Sequence, residues 1–167
     1  MSEAKDALVG ALTVVGLFGF FGMMIYLNDT SDATPGLTYE SGDRPHESNR
    51  AICYGPGVSS CPRAHLRWTI AAGGSVTTRF TVDGTERSLL SGGLRVGDAC
   101  RTVVDWEITT PGRTIARNTV RPARSGEQYL HAQLMAEERV VTFTARRTDG
   151  ESCPAILLWY SAGASEW

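Results

Sequence analysis

The sequence contains no short motif of a common catalytic or cofactor site. It has no G-x-S-x-G for a nucleophile elbow, no phosphate-binding loop or dinucleotide fingerprint, and no C-x-x-C-H for covalent haem attachment. The three histidines, His46, His65 and His131, are far apart in the chain, and His65 is expected on a polar strand face. This scatter predicts surface side chains rather than a metal centre. We therefore expect no enzyme and no cofactor held by side-chain ligands.

Carboxylates offer little more to catalysis. Asp105 and Glu107 are two residues apart and predict a shared outward strand face, where a carboxylate pair could serve glycoside chemistry. Arg101 lies on the same predicted face, and a solvated strand surface explains all three residues. A hydrolase is therefore the least favoured function.

Charge is absent from Ala7–Leu27, whose twenty-one residues also contain no proline. A helix of this length spans about 31 Å at 1.5 Å per residue, enough for a hydrocarbon core of about 30 Å. A cleaved signal peptide is the alternative, with Ser31 and Ala33 before the cleavage point. However, its positive start is missing, because Glu3 and Asp6 balance Lys5 and the terminal amine. The segment predicts a single transmembrane anchor over residues 1–27.

Small residues recur along this predicted helix and indicate a docking surface. They would let a neighbouring helix approach closely, and they are Ala11, Val15, Gly16, Gly19 and Gly22. Lipid or pigment contact with the helix is compatible with this pattern. The expected partners are other integral membrane subunits and lipid.

Four cysteines, an even number, all follow the predicted helix: Cys53, Cys61, Cys100 and Cys153. This usage predicts disulfides in an oxidising compartment. Three connectivities are possible, and we favour Cys53–Cys61 with Cys100–Cys153. Zinc bound by Cys53, Cys61 and His65 is the alternative, but the spacing matches no standard ligand pair. With Lys5 before the helix and Asp29 and Asp32 after it, we expect a cytoplasmic N-terminus and an extracytoplasmic, in bacteria periplasmic, C-terminal domain.

Composition divides the rest of the chain in two. Residues 28–49 are rich in Ser, Thr, Asp, Gly and Pro, and they predict an extended linker without a core. Residues 50–167 have the size of one domain. The expected extracytoplasmic location of this domain, rather than its charge, excludes nucleic acid as a partner.

Alternation of apolar and polar residues dominates the domain and predicts strands. Asp83-Gly84, Pro111-Gly112 and Asp149-Gly150 are expected to form turns, the first closing a two-residue hairpin. Glu127–Glu138 predicts a short helix or another strand. The other expected strands are 65–72, 75–82, 85–90, 100–108, 113–120, 139–146 and 153–160. Seven or eight short strands favour an all-β antiparallel sandwich over a barrel, with Trp68, Phe80, Trp106 and Phe143 in its core.

An arginine cluster and the C-terminal tail suggest contacts with partners. Arg113, Arg117, Arg121 and Arg124 fall within twelve residues without an acid. A solvated edge strand explains them, and so does contact with lipid phosphates or an acidic partner. The tail ending at Trp167 is expected to pack on a neighbouring subunit.

Together these features favour a non-enzymatic accessory subunit of an integral membrane complex. Its helix would dock in the membrane, and its β-domain would brace the extracytoplasmic face of a respiratory complex or a photosynthetic reaction centre with its antenna. The alternative is a membrane-tethered module that binds a soluble ligand or carbohydrate on one sandwich face. Exposed aromatic residues would favour that alternative.

Overall fold

The computed structural model describes residues 36–48, 65–84, 86–97, 101–122 and 128–166. In these ranges, no helix is long and apolar enough to span a membrane. Several predictions concern residues outside them: the segment Ala7–Leu27 with its docking residues, three of the four cysteines, Arg124 and Trp167. Those predictions stay untested.

Ten antiparallel strands form two five-stranded sheets in the described residues. The front sheet has the order β1-β4-β9-β6-β7, and the back sheet has the order β2-β3-β10-β5-β8. The prediction of an antiparallel sandwich is confirmed, with ten strands instead of seven or eight. In chain order they are β1 Leu37–Gly42, β2 His46–Ser48, β3 His65–Ile70, β4 Ser75–Val82, β5 Ser88–Val96, β6 Val104–Thr110, β7 Arg113–Val120, β8 Gln128–Leu134, β9 Val140–Arg147 and β10 Ala155–Glu166.

The core lies between the sheets and contains the four aromatic residues expected there. Trp68, Phe80, Trp106 and Phe143 are each at most 5% exposed. The Phe143 ring stacks on Trp68 with centroids 4.9 Å apart and lies 5.5 Å from Trp159 of β10. The indole Nε1 of Trp68 donates to Thr78 Oγ1 at 2.9 Å. This satisfied polar group lets a large aromatic side chain be fully buried.

The prediction of a two-residue hairpin at Asp83-Gly84 is wrong. Gly84 has the positive φ of a turn, at 108°, but β4 before it belongs to the front sheet and β5 after it to the back sheet. The chain crosses between the layers here. By contrast, β6 and β7 pair directly around Pro111-Gly112, as expected of a hairpin.

Two further expectations, those for the linker and for His65, need correction. Residues 37–48, assigned to a linker, form β1 and β2; Leu37 and Pro45 are buried, so the sandwich begins before residue 50. The ambiguous segment at 127–138 contains a strand rather than a helix, because β8 buries Leu130, Ala132 and Leu134 at period two. His65 is also buried instead of surface-exposed, at 6%.

Candidate functional site

The predicted arginine cluster does not form one surface. The β6–β7 ladder shifts register between Ile108 and Thr109, so Arg113 and Arg117 point to opposite faces of β7. Arg113 pairs with Glu138, Nε to Oε1 at 2.6 Å. Arg117 lies on the outer face of the front sheet, and Arg121 is exposed after β7.

A groove of about 530 Å³ lies on that outer face, over strands β9, β6 and β7. Alternation explains its composition, because the inward residues of these strands fill the core and the polar residues between them face outward. Its lining is Asp105, Trp106, Glu107, Arg117, Asn118, Thr119, Thr144 and Arg146.

Each carboxylate of the groove is held by a threonine of β7. Thr119 Oγ1 donates to Asp105 Oδ1 at 2.6 Å, and Thr114 Oγ1 donates to Glu107 Oε1 at 2.6 Å. In the described residues neither carboxylate makes another hydrogen bond through its side chain. Both are therefore oriented, and the second oxygen of each has no hydrogen-bond partner among the described residues.

The two guanidinium groups of the groove lie beside these carboxylates. Arg117 is opposite Glu107 in the ladder with β7, and Arg146 is opposite Asp105 in the ladder with β9. Within the part of the chain that the structure describes, neither arginine forms an ion pair. The lining therefore combines two oriented acceptors with two donors at balanced charge.

Among the residues that the structure describes, none places an exposed aromatic ring in the groove. Trp106 contributes to its lining but is only 5% exposed, and its indole Nε1 donates to Gln128 Oε1 at 2.9 Å. The large apolar side chains exposed in the described residues are Tyr129 and Met135, both outside the groove lining. The described lining therefore offers hydrogen-bonding groups rather than an aromatic surface.

A second cavity, of about 480 Å³, lies at one end of the sandwich, beside the ends of β7 and β8. Its lining includes Arg87, Arg113, Gln133, Met135 and Glu137. The Arg113 guanidinium is already bonded to the Glu138 carboxylate through Nε and Nη2. Because this ion pair joins the two sheets at the end of the sandwich, we assign a structural role to the ion pair.

The described residues contain no group of three or more His, Cys, Asp or Glu side chains placed to hold a metal ion. The histidines lie on separate strands, with His46 on β2, His65 on β3 and His131 on β8. Cys153 is disulfide-bonded, and its partner lies outside the described residues.

Sequence reasoning found part of this site. It placed Asp105 and Glu107 on one outward face and singled out Arg117, but it missed Arg146 and the two positioning threonines. The alternation of apolar and polar residues along β9 indicates that Arg146 faces outward. No signal placed β9 beside β6, because pairing between distant strands is not encoded in local periodicity.

No family model and no curated protein matches this chain. Solved structures share its sandwich fold. One contains the M60 catalytic domain with the CBM51-1 and CBM51-2 domains of Clostridium perfringens ZmpB, at TM-score 0.56 and 10% identity, and the match covers 82% of this chain. The chain spans only 15% of the length of that structure.

Two smaller proteins match at lower TM-scores. TmCBM61 in complex with β-1,4-galactotriose has TM-score 0.43 and 6% identity, over 82% of this chain and 92% of that one. The CBM22-1 xylan-binding domain of Paenibacillus barcinonensis Xyn10C has TM-score 0.44 and 15% identity, over 77% and 84%. At these identities the likeness concerns the fold alone.

These comparisons correct the expected function. The structure that matches at TM-score 0.56 combines a catalytic domain with two CBM51 domains, not with photosynthetic or respiratory subunits. The prediction of an accessory subunit of a photosynthetic or respiratory complex is therefore wrong, and the comparisons give no support to integral membrane subunits as partners. The class that the fold defines is the antiparallel β-sandwich of two sheets.

Proposed function

We propose that the domain is a non-catalytic module that binds carbohydrate in the groove of the front sheet. The observation that carries this proposal is the set of paired polar groups on the outer face: Asp105 and Glu107 as oriented acceptors, Arg117 and Arg146 as donors. The fold shared with structures containing carbohydrate-binding domains supports it.

Sugars suit such a lining chemically. A pyranose presents neighbouring hydroxyl groups, each able to donate and to accept a hydrogen bond. A guanidinium offers a fork of donors that can engage two adjacent hydroxyls, and each groove carboxylate can accept from a hydroxyl through the oxygen that its threonine does not use. The hydrogen bonds from the two threonines already hold the side chains of Asp105 and Glu107 in place. These side chains therefore lose less conformational entropy when a ligand binds.

Binding should be weak because no described residue exposes an aromatic ring in the groove to stack on the sugar. Four to five hydrogen bonds at about 1 kcal/mol each give roughly 4–5 kcal/mol. This corresponds to a Kd on the order of 0.1–1 mM. Recognition dominated by hydrogen bonds should also be enthalpy-driven.

Titration calorimetry of the full chain with neutral oligosaccharides tests the proposal. Galactotriose and xylohexaose are suitable first ligands, since TmCBM61 was solved with the first and a protein of CBM22-1 and GH10 modules with the second. Replacing a groove carboxylate, Asp105→Ala, should weaken binding about tenfold, because an oriented charged acceptor is lost.

The matched control is Glu47→Ala, which removes an exposed carboxylate from β2 of the back sheet. It should leave binding unchanged. If Asp105→Ala and Glu47→Ala bind equally well, the site is not this groove. If no neutral or acidic glycan binds the chain, the proposed function is wrong.

A further inference from the structure

The polar side chains of the groove belong to two rows that run across four neighbouring strands. One row is Thr77, Thr144, Glu107 and Arg117, on β4, β9, β6 and β7 respectively. The second row, on the same strands, is Ser75, Arg146, Asp105 and Thr119. Since successive strands are about 4.8 Å apart, each row extends roughly 14 Å, the length of about three linked pyranose rings.

Charge is distributed unevenly along these rows. Both carboxylates lie on β6, two residues apart and therefore side by side on one face. The guanidinium groups lie on the flanking strands, with Arg146 on β9 and Arg117 on β7. A ligand in the groove therefore meets negative charge at the centre of the groove and positive charge on both sides of that centre.

We infer that the groove receives a neutral glycan chain laid across the four strands, and that Asp105 and Glu107 reject chains of acidic sugars. This inference rests on the proposed function and adds the class and direction of the ligand. Hydroxyl groups of a central sugar donate to the free carboxylate oxygens, while Arg117 and Arg146 donate to oxygens of the flanking sugars. A uronate at the centre would place one carboxylate against two others, and such like-charge contacts are strongly unfavourable.

The position of β4 supports a chain rather than a single sugar. Ser75 and Thr77 continue both rows beyond the groove, and both are exposed. Thr77 Oγ1 lies 3.5 Å from Thr144 Oγ1, so hydroxyl groups follow one another from β4 to β9. Polar contacts are thus available beyond the space that one sugar would fill.

The test compares neutral and acidic oligosaccharides on the full chain. Neutral xylo- or galacto-oligosaccharides should bind at least about tenfold more tightly than oligogalacturonate of equal length, because of the like-charge contact. Affinity for the neutral series should rise from the monosaccharide to the trisaccharide and then level off. Arg67→Ala, an exposed arginine of the back sheet, is the control for nonspecific attraction of acidic chains.

The double variant Asp105→Asn with Glu107→Gln removes the central charge and preserves shape. It should gain binding of oligogalacturonate while circular dichroism shows an unchanged fold. A folded variant without that gain would overturn the inference. Equal binding of acidic and neutral chains by the unmodified groove, or a monosaccharide that binds as tightly as the trisaccharide, would overturn it and leave the proposed function standing. Absence of any glycan binding would instead overturn the proposed function.

Discussion

The Arg113 guanidinium and the Glu138 carboxylate form a two-point ion pair, Nε to Oε1 and Nη2 to Oε2, each at 2.6 Å. Arg113 begins β7 of the front sheet, and Glu138 lies in the connection from β8 of the back sheet to β9. Thr110 Oγ1 and the Met135 backbone N–H also donate to this carboxylate, both at 2.8 Å. The arrangement fastens the two sheets together at one end.

Glu138→Gln should therefore destabilise the fold. The amide keeps one acceptor oxygen but loses the charge that holds Arg113, and we expect a cost of about 1–2 kcal/mol in the free energy of unfolding. Denaturant unfolding measures it, with the exposed neighbour Glu137→Gln as the control, expected to change stability by less than about 0.5 kcal/mol. Equal stability of the two variants would contradict the fastening role.

The pH dependence of this contribution has a defined sign. The hydrogen bond from Arg113 is the main cause that lowers the pKa of Glu138 from 4.5 to about 2. Because the pKa is depressed in the folded state, the stabilisation is fully present above about pH 4.5 and is lost as the pH falls toward 2. The stability difference between the native chain and Glu138→Gln should therefore shrink over that interval.

The core residues could be predicted from the sequence, because the alternation of apolar and polar residues along a strand is a local pattern. Alternation alone identified Trp68, Phe80 and Phe143 as inward-facing, and all three are buried. Phe80→Ala should cost about 3–5 kcal/mol, since it removes a fully enclosed ring between the sheets. Met135→Ala, at an exposed position, is the control. A loss below about 1 kcal/mol for Phe80→Ala in chemical denaturation would contradict the packing.

The site depends on features that local pattern does not contain. A regular hairpin continuing the Thr110–Arg113 pairing would place Ala116 opposite Glu107, but the bulge places Arg117 there instead. The bulge thus determines which side chains of β7 reach the groove. Arg146 reaches it only because β9 lies between β4 and β6. Register and strand order result from packing of the whole sandwich.

Contacts near Cys153 allow a prediction for its disulfide partner. The buried Arg147 guanidinium bonds to Asp149 and to the carbonyl of Cys153, and the hydrogen bond from Arg147 is the main cause that holds the pKa of Asp149 well below its usual range. Asp149 Oδ2 accepts from the Val103 N–H at 2.8 Å, and the Thr148 N–H donates to Val103 O at 3.0 Å. The loop leading to Cys153 is thus tied to a residue three positions after Cys100.

We therefore expect a Cys100–Cys153 disulfide. Peptide mapping by mass spectrometry without reductant should yield a fragment that joins the two peptides. A fragment that links Cys153 to Cys53 or Cys61 would contradict the prediction. Reduction should lower the melting temperature, because a disulfide of this kind typically contributes about 2–4 kcal/mol.

Gly93 of β5 lies under the ring of Tyr160, its partner in the ladder with β10. A Cβ built on Gly93 overlaps the far end of the Tyr160 ring, and Tyr160 is only 6% exposed, so the ring has little room to move. Gly93→Ala should therefore destabilise the domain by about 1–3 kcal/mol, the usual cost of overpacking.

The steric cause can be separated from a backbone effect by a double-mutant cycle. If the new methyl group collides with the ring, Gly93→Ala should cost much less in a Tyr160→Ala background than in the native chain, and the two substitutions should not be additive. Gly150→Ala is the matched control, because nothing lies within 4 Å of a Cβ at that position. Thermal unfolding of the four variants gives the coupling. Additive losses of stability would show that Gly93 is required for its backbone conformation and not for the space that the Tyr160 ring occupies.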